Sequence, residues 1–466
     1  MSFDHVALLP AYLAAATAVA AFLADLIAPG RRSAVAGVTA VGALATGVVA
    51  ILVGRGPVRR TFCSADCSYV ADHRAALVAA LFAALTLAVV ALSVPVPRLG
   101  EYYFLLGCAM TGGVVLGYAG DLITLIVALE TLTLPLYILV ALKRGTVDAA
   151  VTFFIVSVVS TAVALLGAAL LYAGTGAVHF GRLVAALETG HRLPLTTAGV
   201  VLLLAGLSFK VAAVPFHAWA PPAYDGAPLP VAAFLSTASK LGGVIAILYV
   251  ALDALRPAYD IVAPTIAVLA VLSMTVGNLV ALRQDRMVRL LAWSSVAQAG
   301  YILAPLAARV PGAAGAAATL GYTFLYLVLE LGAFGAVIAL RGDDDGGAIA
   351  DYAGAVRRAP WAAGALALAL VGLAGLPPGL AGLFAKVVVV RALLATGTGW
   401  LAVVVALNAV LGLAYYLRAA ATLFAPTPAA ARTRVPWPVA AALVGATVAA
   451  VVVGFAPQLV LAATQP

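Results

Sequence analysis

Charge is what this 466-residue sequence has least of. Only 9% of its residues are Asp, Glu, Lys or Arg, where a soluble domain carries roughly 25%. With 65% hydrophobic residues besides, too little polar surface is left for a water-soluble fold. Other absences narrow the functions open to it. No Gly-rich phosphate loop precedes a helix, which excludes the usual nucleotide sites. The five histidines (His5, His73, His179, His191 and His217) show no paired spacing on one span for haem or metal. Three cysteines fall short of the four that an iron–sulfur cluster usually takes. The net charge of +8 is dispersed over short loops, so it carries no nucleic-acid meaning.

Apolar run length is what the sequence has in plenty. Stretches of about 20 residues, enough to cross a bilayer's hydrocarbon core, recur from end to end. They predict an all-α membrane protein with about fourteen transmembrane helices. The spans fall near 6–28, 33–54, 75–95, 102–119, 121–142, 149–173, 196–222, 228–252, 261–282, 287–308, 313–340, 359–397, 399–425 and 436–456. The first begins at Val6 with no basic residue before it, unlike a cleaved signal peptide, and reads as the first membrane helix. The gaps at 55–74 and 174–195 read as loops, the second with a short surface helix from His179 to Glu188.

Basic residues are more numerous on the odd-numbered loops (Arg98, Lys143, Arg144, Arg358 and Arg432 among them) than on the even ones, which include Arg192 and Arg309. The positive-inside rule then places both termini outside the cytoplasm. Cys63 and Cys67 fall in an outward loop, where oxidation is permitted. A disulfide is the preferred reading there over two free thiols, and Cys108 reads as an inert core thiol.

The few charges inside spans are the informative ones. There are only four lysines, and Lys210, Lys240 and Lys386 fall within predicted membrane helices; elsewhere, Lys143 apart, positive charge is carried by arginine. A lysine at mid-membrane costs at least about 2.5 kcal/mol on insertion scales. Unlike arginine it can give up its proton when desolvated. Glu130, in Leu125 to Tyr137, is the matching acid, with Pro135 freeing a backbone carbonyl one turn away. Glu330 is a second buried acid, open to either a relay or a structural hydrogen bond.

Two spans are broken. Pro215 follows Lys210 by five residues, and Pro377 and Pro378 precede Lys386 by about two turns. Irregular backbone at membrane depth is tolerated only where it is buried in protein or lines a wet cavity. One broken, lysine-bearing helix in each half is the expected mark of an inverted repeat relating spans 4–8 to spans 9–13. The chain then divides into an N-terminal three-helix segment (1–100), a first repeat (101–255), a second repeat (256–425) and a C-terminal helix (426–466). His217 reads either as a proton relay or as a histidine bonding a freed carbonyl. Asn278, Ser294, Ser295 and Gln298 add polar groups that could hold water or glue helices together.

The run from Ser208 to Ser239 contains Val-Pro-Phe-His-Ala-Trp, Tyr-Asp-Gly-Ala-Pro-Leu-Pro-Val and Ser-Thr-Ala-Ser before Lys240. It closely resembles the subunit N family of bacterial NADH-quinone oxidoreductase, antiporter-like membrane subunits of respiratory complex I. Ala128 to Tyr137 resembles that family's fifth helix, Arg289 to Tyr301 its tenth and Leu376 to Lys386 its twelfth. Tyr415 to Arg418 looks like part of its thirteenth.

The resemblance implies a proton-translocating subunit of complex I in a bacterial plasma membrane, beside other antiporter-like subunits. Glu130 would be the fifth-helix glutamate, Lys210 its partner, Lys240 the connecting lysine and Lys386 the terminal one. NADH, flavin (FMN), iron–sulfur clusters and quinone would all be bound by partner subunits and none by this chain. Position 298 is often histidine in the family; Gln298 cannot take a proton, so water held there would have to serve instead. Glu330 is not part of the transferable pattern. A subunit of a multisubunit cation/proton antiporter or of a membrane-bound hydrogenase shares this architecture. The lack of a large extra domain and the stretch Gly226 to Val231 favour subunit N. The intact lysine series argues against a purely structural subunit.

Overall fold

The computed structural model describes residues 3–64, 66–94, 100–143, 146–190, 194–308, 312–342, 345–426 and 434–463. Arg98, Arg144, His191, Arg192, Arg309 and Arg432 lie outside the described residues.

Helices α1 (His5–Ile27) and α2 (Arg32–Gly54) lead into a hairpin of strands β1 (Arg59–Cys63) and β2 (Cys67–Ala71). Then come α3 (His73–Leu92), α4 (Gly100–Gly117), α5 (Leu122–Ala141), α6 (Val147–Thr175) and the short α7 (Phe180–Thr189). The first broken span is α8 (Pro194–Lys210) followed by α9 (Ala220–Gly226). Next are α10 (Leu229–Phe234) and α11 (Lys240–Tyr249), joined through a π-turn over Leu235–Ser239, and then α12 (Tyr259–Ala281), α13 (Met287–Leu303) and α14 (Ala313–Arg341). After the one-turn α15 (Ala355–Arg358), the second broken span is α16 (Pro360–Ala374) and α17 (Leu380–Ala395). The chain closes with α18 (Gly399–Thr422), α19 (Trp437–Phe455) and α20 (Gln458–Ala463).

Among the described residues, eleven helical segments are long and apolar enough to cross a membrane, and three more apolar helices are shorter. The fold is therefore that of an all-α, multi-pass membrane protein. Its outer surface is apolar, with Ile27, Leu44, Val159 and Leu407 all more than half exposed, as lipid contact requires and water does not permit.

Several helix starts are set by local chemistry. Asp4, Asp72 and Asp121 cap α1, α3 and α5, each accepting hydrogen bonds from first-turn amides. The Ala7 amide and the Arg59 guanidinium, 3.0 Å away, hold the Asp4 carboxyl below its ordinary value. Close packing between helices relies on small residues. Gly199 of α8 lies against the Gly167 carbonyl of α6, and Gly206 against Ala164, so a side chain on α8 at either position would clash with α6.

The segment read from sequence as a loop at 55–74 is instead an antiparallel hairpin, with Thr61 and Tyr69 paired and both buried. Its strand-forming residues sit over the α4–α5 turn, where the Val70 amide donates to the Tyr118 carbonyl and the Gly120 amide to the Ser68 carbonyl, each at 2.9 Å.

Candidate proton-transfer site

The first broken span ends its helix earlier than Pro215 requires. α8 stops at Lys210, Ala212 takes a left-handed φ of 55°, and Val214–Pro215 is a cis bond. The break is docked rather than loose. The Val214 amide donates to Ser273 Oγ of α12 at 2.9 Å, and the Trp219 indole donates to the Phe209 carbonyl at 3.0 Å. Trp219 in turn stacks on Phe153 with ring centroids 4.5 Å apart. Lys210 is thus the last helical residue before a rigid irregular segment.

Its ammonium reaches Glu130 Oε1 at 2.7 Å, Thr133 Oγ1 at 3.1 Å and Ser157 Oγ at 3.2 Å. Thr161 donates to the same Glu130 oxygen at 2.7 Å, and Tyr137 donates to Ser157 at 2.5 Å. Lys210 is buried, whereas the Glu130 side chain keeps 22% exposure. That opening faces outward among the exposed apolar residues Val127, Leu134 and Val158. The pairing of Glu130 with Lys210 expected from sequence is present. Thr133, Ser157 and Thr161 are not distinguishable in the sequence, because single hydroxyls in apolar helices carry little signal.

Lys240 lies just after the π-turn and donates to the Ser295 carbonyl at 2.5 Å. Tyr326 closes the other side, its hydroxyl 2.9 Å from the Ser236 carbonyl and 3.0 Å from Ser295 Oγ. Glu330, one turn along α14 from Tyr326, is fully buried and interacts electrostatically with Lys240. Neither Glu330 carboxylate oxygen has a hydrogen-bond partner among the described residues. A further link is a glycine. A Cβ on Gly243 of α11 would stand 2.7 Å from the Lys210 carbonyl carbon, so only glycine lets α11 and the end of α8 lie in contact.

At the second break, α16 ends on Gly375 with φ 85°, and the Gly375 and Leu376 amides turn back to Val371 and Gly372. This glycine-closed helix end, followed by Pro377 and Pro378, which have no N–H, leaves the Leu373 and Ala374 carbonyls without amide donors. Lys386 supplies the missing protons, bonding Leu373 O at 3.1 Å and Ala374 O as well. The negative end of the α16 dipole also favours a cation there. The Tyr301 ring centroid is 5.6 Å from the ammonium.

Gln298 joins this cluster instead of standing open to water. Its amide nitrogen donates to Leu373 O at 3.3 Å and to Tyr416 at 3.1 Å, while Tyr322 donates to its oxygen at 2.6 Å. Protein groups therefore occupy the amide that the sequence reading reserved for water. Ser294 donates to the Leu291 carbonyl at 2.8 Å. Asn278 bonds Tyr301, Tyr415 and Asn408. His217 sits apart, half-buried at the first break with its ring 5.2 Å from that of Trp293. No hydrogen bond joins it to a lysine among the described residues.

Outside the spans, Arg286 bridges Asp225 at 3.1 Å and Asp345 at 2.8 Å, and Lys143 donates to the Asp225 carbonyl at 3.1 Å. The hydrogen bond that Arg286 donates to Asp345 raises the pKa of Arg286. This clamp fixes the end of α9. At the opposite end of the bundle Cys63 and Cys67 are joined as a disulfide across the hairpin. Among the described residues no cluster of His, Cys, Asp and Glu is arranged to hold a metal ion.

The profile of the family "NADH:quinone oxidoreductase/Mrp antiporter, TM" matches residues 119–412. NADH-quinone oxidoreductase subunit N of Salinispora tropica is 60% identical over 98% of this chain and 98% of its own. A chain of respiratory complex I from Thermus thermophilus superposes with a TM-score of 0.84 at 30% identity, covering 98% of this chain and 99% of that one. A chain of the Mrp complex from Dietzia sp. superposes equally well, with a TM-score of 0.84 over 98% and 96% of the two chains, but at 23% identity it shares the fold alone.

Proposed function

Since the chain belongs to the family of NADH-quinone oxidoreductase subunit N, we propose that it is a proton-translocating membrane subunit of complex I, coupling NADH:quinone electron transfer elsewhere in the complex to proton movement through its own buried Lys and Glu residues. The observation that carries this reading is the 2.7 Å Lys210–Glu130 pair at the head of a series of buried lysines. The antiporter reading is weaker, since the likeness to the Mrp chain is one of fold.

Glu130 and Lys210 form the input. Opposite unit charges 4 Å apart interact by about 4 kcal/mol at an effective dielectric near 20. Separating the pair by a small movement is therefore enough to load or unload the lysine. The exposed edge of Glu130 lies on a lateral apolar face, where a neighbouring antiporter-like subunit would deliver that movement. A proton then passes from Lys210 to Lys240, whose helix the Gly243 contact holds against the end of α8, and Glu330 balances Lys240 as a second acid. It goes on along the Ser295–Gln298 face of α13 to Lys386 and outward. Ser294 stands beside this path as an auxiliary group, whereas His217, at the first break, lies off it.

The chain itself holds no redox centre; NADH, FMN, iron–sulfur clusters and quinone belong to partner subunits. It spans a bacterial plasma membrane fourteen times with both termini outside. Segments 101–255 and 256–425 form inverted repeats, each with one broken, lysine-bearing helix, flanked by 1–100 and 426–466. Basic residues at Arg286, Arg289, Arg341, Arg357 and Arg358 on one end of the bundle support that orientation.

Lys210→Met tests the reading. It keeps most of the volume, removes the titratable group and leaves Glu130 with only the Thr161 hydroxyl. The complex should assemble on native gels while NADH-driven proton uptake into vesicles falls at least several-fold. Lys210→Arg should also fail, because arginine holds its proton. Glu330→Gln in the same assay should slow uptake. Parental proton stoichiometry in an assembled Lys210→Met complex would make the lysine structural and the mechanism wrong.

A further inference from the structure

On the outer surface, α17 and α18 flank an open apolar groove of about 640 Å³ next to the second break, within the roughly 300–1,000 Å³ range of ligand sites. Leu383, Val390 and Leu394 form one wall, Ala406, Ala409 and Val410 the other, and Lys386 reaches its floor. Near the far end stands Arg391, an exposed guanidinium on a membrane helix with no ion pair or hydrogen bond among the described residues. Arginine in a membrane span requires an anion, water or a headgroup. Its depth is set by the turn between the helices. α17 ends at Ala395, α18 starts at Gly399, and Trp400 is 58% exposed there, the position of an interfacial aromatic. Arg391 is thus about one helical turn, roughly 6 Å, below that interface.

From Leu383 to Leu394 the groove follows roughly 16 Å of helix, which matches one leaflet of a hydrocarbon core about 30 Å thick. The site therefore offers a cation one turn inside the interface, then an apolar channel that runs roughly 12 Å along α17 from Arg391 to Leu383, with Lys386 on its floor partway. We infer that this groove is a binding site for one anionic phospholipid, with its phosphate on Arg391 and an acyl chain along α17 and α18. The lipid neutralises the unpaired guanidinium and covers the lateral opening beside Lys386. Sealing that opening rests on the reading of Lys386 as the terminal proton carrier; occupation of the groove does not.

Labelling in the dark, without NADH, separates the two. The purified complex is reconstituted in vesicles carrying either phosphatidylglycerol or phosphatidylcholine with a diazirine at mid-chain, irradiated, and the labelled peptides are quantified. Phosphatidylglycerol should label α17 and α18 peptides several-fold more than phosphatidylcholine, with no such preference on the lipid-facing α1 and α2. Arg391→Gln should bring the ratio at the groove to about one. Ala409→Phe, which fills the channel and leaves the charge, should lower labelling by both lipids. Equal labelling in the parent, a preference that survives Arg391→Gln, or a groove unlabelled by either lipid because a partner helix fills it would each overturn the assignment. None of these readouts depends on pumping, so a failure of the lysine mechanism would leave them unchanged.

Discussion

Lys386 and Gln298 converge on one acceptor, the Leu373 carbonyl, at 3.1 Å and 3.3 Å. The carbonyl is available because Gly375 turns the helix end back on itself and the residues after Leu376 are prolines without amide protons. A glutamine on α13 and a lysine on α17 are thereby coupled through the backbone of α16.

Gln298→Leu should break this coupling. It strands the Tyr322 hydroxyl and removes a donor from Leu373, at about 1–3 kcal/mol for each buried group left unmatched. The expected result is an assembled complex with a lower thermal midpoint and reduced NADH-driven proton uptake. Gln298→His restores a donor and an acceptor and should recover uptake. If Gln298→Leu pumps as the parent does, the cluster has no part in transfer.

Gly243→Ala changes no titratable group, yet the added methyl would sit 2.7 Å from the Lys210 carbonyl carbon and 2.9 Å from Lys210 Cβ. Overpacking of this kind typically costs about 1–3 kcal/mol. It should push α8 and α11 apart and depress proton uptake more than electron transfer to an artificial acceptor upstream of quinone. Unchanged uptake in an assembled variant would remove Gly243 from the path.

The site was only partly legible in the sequence. Glu130 and the three lysines stand out because isolated charges in apolar runs are costly and therefore rare. The prolines mark the breaks because they lack a donor. What could not be read is what receives the ammoniums of Lys240 and Lys386. Lys210 finds a carboxylate, but Lys240 and Lys386 find main-chain carbonyls of Ser295, Leu373 and Ala374, and a carbonyl looks the same at every position of a sequence. Gly243 was hidden for a related reason, being one of 44 glycines whose role depends on what faces it. The hairpin at Arg59–Ala71 was missed because its five-residue strands carry Arg, Cys and Ser among their β-formers and show no long apolar alternation.

Alkylation without reductant should leave Cys63 and Cys67 unlabelled in the folded membrane preparation, with Cys108 the sole thiol open to reagent after denaturation. Intact-mass analysis reads the difference directly. Labels on both hairpin cysteines would contradict the bond seen across β1 and β2.

Reporter fusions after Arg358 should score as cytoplasmic and those after Thr189 as external. The reverse pattern would invert the orientation and place the disulfide hairpin in a reducing compartment.

The partners of Lys386 are main-chain oxygens, which lie beyond the reach of side-chain mutation. A main-chain oxygen survives every amino-acid substitution, so a complete mutational scan contains no variant that deletes the acceptors of Lys386 while leaving the lysine in place. Positions 373 and 374 would score as tolerant or as packing residues, and the map would be silent on the bonds that hold this lysine. The grip on this lysine can be altered only by moving the end of α16 or by replacing an amide with an ester through chemical synthesis.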